Sequence, residues 1–259
     1  KPGTWPASLH MVGKDIIRFH TVYWPAFLMA ADLPLPKQVF AHGWWTIEGE
    51  KMSKSLGNVV APADLVAEYG LDQTRWFLMR EVPFGNDGNF SRERMVAVIN
   101  SELANNLGNL AQRTLSMIAK NCDGKVPNAS ATLDGRCYGA LPAISALMAE
   151  KKFHLALEEI LAIATNANGF IDKEAPWALK KTDPARMEQV LYTLAETIRC
   201  IGLLLQPIMP DSAAKILDQL AVPLSERSFA HLEPTYALKS GAALPPPNGV
   251  FPRVGGATA

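Results

Sequence analysis

The sequence predicts an α/β segment followed by an all-α helical bundle, with a short tail at the end. Up to residue 84, short apolar runs alternate with amphipathic segments, which is typical of a parallel sheet with helices. Beyond that point apolar residues recur every three or four positions over long stretches, which indicates packed helices. Turn-forming residues at 83–89 separate the two patterns. We therefore expect an α/β domain at 1–84, a helical domain at 85–235 and an extended tail at 236–259.

The elements of the α/β part follow from its apolar runs and from the Gly and Pro residues between them. In chain order we expect a strand at 9–12, a helix at 15–29, a strand at 39–42, a third strand at 45–47, a turn at 48–50, and short helices at 64–69 and 72–80. The third strand either pairs with the second or follows on from it. Gly70 ends the first short helix and Asp72 is a suitable N-cap for the next.

The helical part contains long stretches with apolar residues at three- and four-residue spacing. Helices are expected at 91–121, 140–148, 152–171, 185–205 and 212–220. The proline-rich run at 244–249 predicts an extended connection, after which Phe251 is able to pack back on a core.

Charge and cysteine content limit the function classes. Lys plus Arg equals Asp plus Glu, at 25 each, so any nucleic-acid partner must be held by a local basic patch. The three cysteines form no CxxC or Cys/His cluster, so we expect no disulfide framework and no zinc site. Free thiols fit a reducing cytoplasm, and no apolar run is long enough to cross a membrane. A cytoplasmic protein without a membrane partner is expected.

The loop Lys51-Met52-Ser53-Lys54-Ser55 is the strongest chemical signal in the sequence. Two ammonium groups and two hydroxyls within five residues suit a loop that grips a triphosphate and stabilises the negative charge that builds up during its cleavage. No GxxxxGK[ST] string is present, so a Walker-type loop is excluded. The alternative is an ordinary solvated charged loop.

A second candidate lies where the first strand turns into the first helix, at Gly13-Lys14-Asp15-Ile16. Nucleotides bind at this carboxyl edge of a parallel sheet. The carboxylate of Asp15 is able to accept hydrogen bonds from ribose hydroxyls, but it also suits a helix N-terminus, so a simple capping role is equally open.

Further along the same helix, Ile16, His20 and Trp24 recur every four residues and share one face, with Phe19 beside them. This face predicts either the wall of a small apolar pocket or part of the core. In the helical half, Asn109 and Arg113 are also four apart, and Trp177 follows a long helix. Asn and Arg read base edges and an exposed indole stacks on an unpaired base, whereas a solvated surface pair and a core tryptophan are the alternatives.

These residues lie in strings that resemble class I aminoacyl-tRNA synthetases, and specifically the methionyl-tRNA synthetase family. The strings are Gly13-Lys14-Asp15-Ile16-Ile17-Arg18-Phe19-His20 with Trp24-Pro25-Ala26, His42-Gly43-Trp44-Trp45-Thr46 leading into the Lys51 loop, and Phe170-Ile171-Asp172-Lys173-Glu174-Ala175-Pro176-Trp177. The resemblance implies the second half of a Rossmann-like nucleotide-binding fold followed by a helical anticodon-binding domain.

The resemblance also implies a role for each candidate residue. Lys54 is the principal catalytic cation, assisted by Lys51. The expected ATP-binding residues are Gly13, Asp15, Lys51, Met52, Ser53, Lys54 and Ser55. Ile16, Phe19, His20 and Trp24 enclose the methionine side chain, and Asn109, Arg113 and Trp177 read the anticodon. The implied substrates are L-methionine, ATP with Mg²⁺, and the methionine tRNA, and a monomer is expected.

The sequence departs from the family in one respect. The family's HxGH signature, whose histidines hold ATP phosphates, is absent around all five histidines (His10, His20, His42, His154 and His231). Because the chain also begins without Met, we expect a fragment that does not activate methionine alone. A non-catalytic tRNA-binding module is the rival hypothesis. A synthetase for leucine, isoleucine, valine or cysteine is a third, against which the string around His20 and Trp24 argues.

Overall fold

The computed structural model describes Gly3 and residues 5–47, 49–52, 57–130 and 136–255. The chain forms two compact units. Unit 1 comprises Lys1–Val60 and Glu81–Arg92, and unit 2 comprises Ala61–Arg80 and Glu93–Ala259. Each unit is described by itself.

Unit 1 begins with a parallel pair of strands. Strand β1 (His10–Gly13) lies beside β2 (Val39–His42), with His10 opposite Val39 and Gly13 opposite His42. The parallel sheet expected from the alternating pattern is therefore confirmed for this pair. Both strands end at the same edge, so the segments that follow Gly13 and His42 are brought together there.

The segment between β1 and β2 is helical, but it is not a uniform α-helix. It opens with a 3-10 turn (Lys14–Ile16), continues through a π-helical stretch (Phe19–Tyr23) and ends as α1 (Trp24–Ala30). The helix predicted at 15–29 is thus present, but it begins with a tighter 3-10 turn and contains a wider π-helical stretch. Wider π turns recur at functional sites, because they change the direction in which side chains point.

A second sheet contains β3 (Trp45–Ile47) between β4 (Glu50–Lys51), which is antiparallel to it, and β5 (Gly88–Phe90), which is parallel. Strand β3 therefore follows β2 without pairing with it. The turn-rich run at 83–89 was not expected to contribute a strand, yet its end pairs with β3. Close approach explains the glycine at 43, since a Cβ there would overlap the backbone of Asn86 and Asp87.

Unit 2 is built from helices around one central helix. Its helices are α2 (Pro62–Tyr69), α3 (Leu71–Arg80), α4 (Arg92–Val98), a π-helical stretch (Ile99–Gly108), α5 (Asn109–Asn121), α6 (Arg136–Ala149), α7 (Phe153–Glu174), α8 (Pro176–Thr182), α9 (Pro184–Leu205) and α10 (Pro210–Gln219). Helix α9 packs against α5, α6, α7, α8 and α10, and its residues from 190 to 205 are all buried. The predicted helical bundle is confirmed. A helix that is buried on all sides occupies the core of the unit that surrounds it.

Two charged side chains of α9 are buried and paired. The Arg199 guanidinium lies 2.6 Å from Oε1 of Glu196, and both side chains are at most 1% exposed. Glu196 also accepts hydrogen bonds from the Tyr138 hydroxyl and the Leu238 amide, at 2.8 and 3.0 Å. Arg199 donates to the His231 carbonyl at 2.9 Å. The pair therefore attaches the irregular segment after residue 223 to the helical core.

Helices α2 and α3 belong to unit 2, although the boundary predicted near residue 85 would assign them to the α/β part. Trp76 and Phe77 of α3 are fully buried. Asp72 accepts a hydrogen bond from the Ser212 amide at the start of α10 at 2.5 Å, and Arg75 donates to the Ile208 carbonyl at 2.6 Å. The residues that make these contacts are more than 130 positions apart in the sequence, so the change in the spacing of apolar residues did not reveal them.

The segment predicted as an extended tail lies against the helices. Val250 and Phe251 are buried, and Asn248 donates its amide hydrogen to Gln219 at 2.6 Å. Val254 exchanges two hydrogen bonds with the side chain of Asn100. None of the helices in the described part of the chain combines the length and hydropathy that a membrane span needs.

The buried pair on α9 gives a stability prediction. Glu196→Gln should lower the free energy of unfolding by about 3 kcal/mol, because it leaves the Arg199 guanidinium buried beside an uncharged partner. Denaturant unfolding followed by circular dichroism at the helix band measures the loss. Glu150→Gln is the matched control, since the ion pair of Glu150 with Lys152 is exposed and should contribute almost nothing. Equal stabilities of the Glu196 variant and the unsubstituted chain would contradict the role of the pair.

Candidate functional site

The predicted nucleotide residues lie at the carboxyl edge of β1. Gly13 is the last residue of the strand, and Lys14 and Asp15 form the 3-10 turn that follows. Asp15 lies in the first turn, where a carboxylate also suits the helix N-terminus. Its carboxylate lies 3.5 Å from the indole nitrogen of Trp44, which follows β2 at the same sheet edge. The structure therefore presents Asp15 at the edge where parallel sheets bind nucleotides.

Asp87 connects the two segments at this edge. The Lys14 ammonium contacts both carboxylate oxygens of Asp87, at 2.6 and 2.5 Å, and the Trp44 amide donates to the same carboxylate at 2.8 Å. The Lys14 hydrogen bond and, next to it, the Trp44 amide hold the pKa of Asp87 below its ordinary value. Sequence reasoning missed Asp87, because it lies in a run that was interpreted only as a turn.

The triphosphate loop is described at its first two residues, while Ser53, Lys54 and Ser55 lie outside the described residues. Lys51 ends β4, and its ammonium lies 4.2 Å from the centroid of the Trp44 ring. The carbonyl of Lys51 accepts a hydrogen bond from the Asn58 side chain at 3.3 Å. One of the two predicted catalytic lysines thus lies over the same indole ring as Lys14.

An aromatic cavity of about 430 Å³ lies along the helix that follows β1. Three of the four residues predicted to enclose a small apolar ligand line it: Phe19, His20 and Trp24. The structure adds His10, Tyr23 and Phe27 to the wall. Tyr23 and Phe27 lie three residues beyond His20 and Trp24 on the same helical face, so the spacing that indicated the first three also contained these two.

The fourth predicted residue, Ile16, does not line this cavity. Its backbone contributes instead, because the carbonyl of Ile16 lies 3.0 Å from Nδ1 of His20 and fixes the orientation of that ring. The other side of His20 meets His10 edge to face, with ring centroids 5.8 Å apart. The Trp24 ring is held in the same way by Trp5, at 5.9 Å. The walls of the cavity are therefore positioned by ring-to-ring contacts.

In unit 2 the predicted base-reading residues come from two helices. Arg113 of α5 forms an ion pair with Asp172 of α7 at 2.7 Å, and its guanidinium lies 5.6 Å from the centroid of the Trp177 ring. Trp177 is 53% exposed, so it is not a core residue. Asn109 is exposed one helical turn before Arg113. Asp172 was not singled out from the sequence, since its partner is 59 residues away.

The chain direction at Trp177 depends on one residue. Ala175 ends α7 in the left-handed region, with φ of 46°, and Pro176 then begins α8. A residue with a side chain adopts this conformation at a cost in energy, and the next residue, Pro176, is buried. The corner places the Trp177 indole near the Arg113 guanidinium.

Comparison with known proteins identifies the family. Residues 4–115 match the model described as class I tRNA synthetases (M), and residues 122–258 match the anticodon binding domain of methionyl tRNA ligase. The second match alone spans more than half of the chain. The chain belongs to the methionyl-tRNA synthetase family. The predicted fold class, half of a Rossmann-like fold followed by a helical anticodon-binding domain, is that of the family.

Individual relatives agree with this assignment. The methionine–tRNA ligase of Mesorhizobium japonicum is 56% identical over 256 residues, which are 96% of this chain and 49% of the relative. That of Rickettsia felis is 53% identical over 262 residues, covering 97% and 51%. The structure of Mycobacterium tuberculosis methionyl-tRNA synthetase in complex with methionyl-adenylate aligns with a TM-score of 0.92 at 51% identity, covering 96% and 51%. The chain thus spans about half the length of the relatives it matches.

Within the described residues, no group of three or more His, Cys, Asp or Glu side chains is arranged to hold a metal ion. Cys122, Cys137 and Cys200 are not joined by disulfides. Burial raises the pKa of the Cys122 thiol to about 11, and that of Cys200 is raised first by its hydrogen bond with Cys137 and then by burial. The Cys122 and Cys200 thiols are therefore protonated at neutral pH.

The Lys14–Asp87 pair gives a prediction about pH. The Asp87 pKa should lie below 3.8, and Lys14→Met should raise it, because the largest cause of the shift is the Lys14 hydrogen bond. The pair therefore stabilises the fold above pH 3.8 and loses this effect as the pH falls through the lowered pKa. Carbon-detected NMR titration of the Asp87 carboxyl group measures both values. An unchanged pKa in the Lys14 variant would refute the assignment of cause.

Proposed function

We propose that this chain supplies the carboxyl-terminal part of a methionine–tRNA ligase. The reaction joins methionine to ATP, which gives methionyl-adenylate and pyrophosphate, and then transfers the methionyl group to the terminal adenosine of the methionine tRNA. The protein contributes by positioning the substrates and by stabilising charge. The main observation in support of this proposal is the aromatic cavity on the helix whose first turn holds Asp15 at the sheet edge.

The cavity suits a methionine side chain. A thioether on an unbranched chain packs favourably against aromatic rings, and the walls formed by Phe19, His20 and Trp24 supply such rings. Because one methylene of difference gives only modest discrimination, selectivity needs a closely shaped slot with fixed walls. The ring-to-ring contacts of Trp24 with Trp5 and of His20 with His10 support that requirement.

ATP would lie along the carboxyl edge of β1 and β2. In this proposal the Asp15 carboxylate accepts hydrogen bonds from the ribose, and Gly13 allows the backbone to approach the nucleotide. The ammonium groups of Lys51 and Lys54 stabilise the charge on the α-phosphate and on the departing pyrophosphate. Met52, Ser53 and Ser55 complete the loop that closes on the triphosphate. Mg²⁺ would accompany ATP, and no residue is assigned to it.

The helical unit would recognise the methionine anticodon. Arg113, oriented by Asp172 and beside Trp177, offers a guanidinium plane and an exposed indole to unpaired bases. Asn109, exposed on the same helix, adds a donor and an acceptor for a base edge. We further propose that the ligase acts in the cytoplasm as a monomer.

Methionine-dependent exchange of label between pyrophosphate and ATP decides between this function and the rival tRNA-binding module. The assay is applied to the 259-residue chain and to the full-length product of its gene. Exchange by the full-length product, together with none by the chain alone, is the expected result. Tight binding of methionine tRNA without exchange in either protein would favour the module.

One prediction of the proposed function concerns the triphosphate loop. In the full-length product, Lys54→Ala should slow pyrophosphate exchange on the order of a hundredfold, because one preorganised cation is lost from the transition state. The KM for methionine should change little. Lys37→Ala, an exposed lysine of unit 1 outside the loop, is the matched control and should retain full activity. An unchanged exchange rate in the Lys54 variant would remove Lys54 from the proposed mechanism.

A separate prediction of the proposed function concerns the helical unit. Trp177→Ala should lower the rate of tRNA charging on the order of tenfold or more, because stacking on a base is worth about 1–3 kcal/mol. Pyrophosphate exchange should be preserved. Phe229→Ala is the control, since Phe229 is also exposed on unit 2. If charging and exchange fell together in the Trp177 variant, Trp177 would have a structural role instead.

A further inference from the structure

We propose that Trp44 is a positioning residue for Lys51, whose ammonium it holds over its indole ring at the edge of the nucleotide site. The inference rests on the proposed function and adds a residue to it. Trp44 would touch neither ATP nor methionine. It would act through the lysine that opens the triphosphate loop, by restricting where that ammonium lies before ATP arrives.

Two ammonium groups lie over the same indole ring. Nζ of Lys51 is 4.2 Å from the ring centroid and Nζ of Lys14 is 4.3 Å from it. Both distances are well within the range of about 6 Å in which an aromatic face attracts a cation. Tryptophan is the side chain that provides the strongest such attraction.

The two lysines differ in their other partners. Lys14 is neutralised by Asp87, because its ammonium contacts both carboxylate oxygens of that residue. Lys51 takes part in none of the ion pairs between described residues. Of the two cations over the ring, only Lys14 has a carboxylate partner among the described residues. An available positive charge is what a developing phosphate anion requires.

Trp44 is held both at its backbone and at its indole ring. The backbone amide of Trp44 donates a hydrogen bond to Asp87 at 2.8 Å, and the indole nitrogen of Trp44 lies 3.5 Å from Asp15. The preceding residue is Gly43, which is buried and packs so closely on the backbone of Asn86 and Asp87 that a side chain would not fit. Trp44 is therefore a fixed support, whereas Lys51 is exposed at the end of a two-residue strand.

A flexible lysine loses rotational freedom when it engages a phosphate, and this loss opposes catalysis. A cation–π contact that restrains Lys51 beforehand reduces that loss. The contribution should appear in the rate of adenylate formation more than in the affinity for methionine, because methionine binds elsewhere on unit 1. Because Lys51 is exposed, loss of the aromatic face should therefore lower kcat on the order of twofold to fivefold.

The test uses pyrophosphate exchange with the full-length product and a double-mutant cycle. Trp44→Leu should lower kcat by that factor, with the KM for methionine unchanged, and Trp44→Phe should recover most of it. In a Lys51→Ala background, Trp44→Leu should have no further effect, because the two residues act as one unit. Equal effects of Trp44→Leu in both backgrounds would overturn the proposal and indicate that Trp44 acts without Lys51, through Asp15 or through the nucleotide itself.

A second measurement does not depend on how Trp44→Leu folds. Site-specific replacement of Trp44 by mono-, di- and trifluorotryptophan leaves the shape of the ring nearly unchanged but weakens the negative potential on its face. The proposal expects kcat to fall stepwise with each fluorine, and a flat series would overturn it. If the unsubstituted full-length product shows no methionine-dependent exchange, the proposed function fails, which is distinguishable from failure of the role of Trp44 alone.

Discussion

The carboxylate of Asp87 is the constraint on which the nucleotide edge of unit 1 depends. It binds the Lys14 ammonium after β1 and the Trp44 amide after β2, so one side chain joins the two strand ends. Through Trp44 it also reaches Lys51, at the start of the triphosphate loop. The groups that would contact ATP come from three separate segments, and their mutual position follows from a few polar contacts rather than from a large apolar core.

Unit 2 is stabilised differently. Its central helix is buried along most of its length, and the charged pair within it is satisfied by groups from neighbouring segments. Burying an ion pair costs desolvation energy, so the pair contributes mainly by fixing one arrangement of the segments around it. The surface that carries Asn109, Arg113 and Trp177 rests on this well-packed interior. A site on rigid helices holds its side chains more accurately than one on loops.

Sequence patterns predicted the helices well, because burial of one face repeats with the helical period. Strand β5 escaped prediction since Gly88 and Asn89 are poor strand formers, and only pairing with β3 makes this stretch a strand. Helix α8 was too short to show a period. The lysine loop and the aromatic face were visible from residue chemistry alone. Asp87 and Asp172 were not, because their importance comes from partners 43 to 73 residues away.

The π-helical stretch at Ile99–Gly108 has an evolutionary consequence. It lies directly before α5 in one continuous helical run, so it sets the angle at which Asn109 and Arg113 leave the helix axis. Each residue of an α-helix turns the chain by about 100°. Loss or gain of one residue in the wide turns would therefore rotate both side chains together around the helix. Insertions and deletions in this stretch offer lineages a way to redirect the surface formed by Asn109 and Arg113 that no single substitution provides.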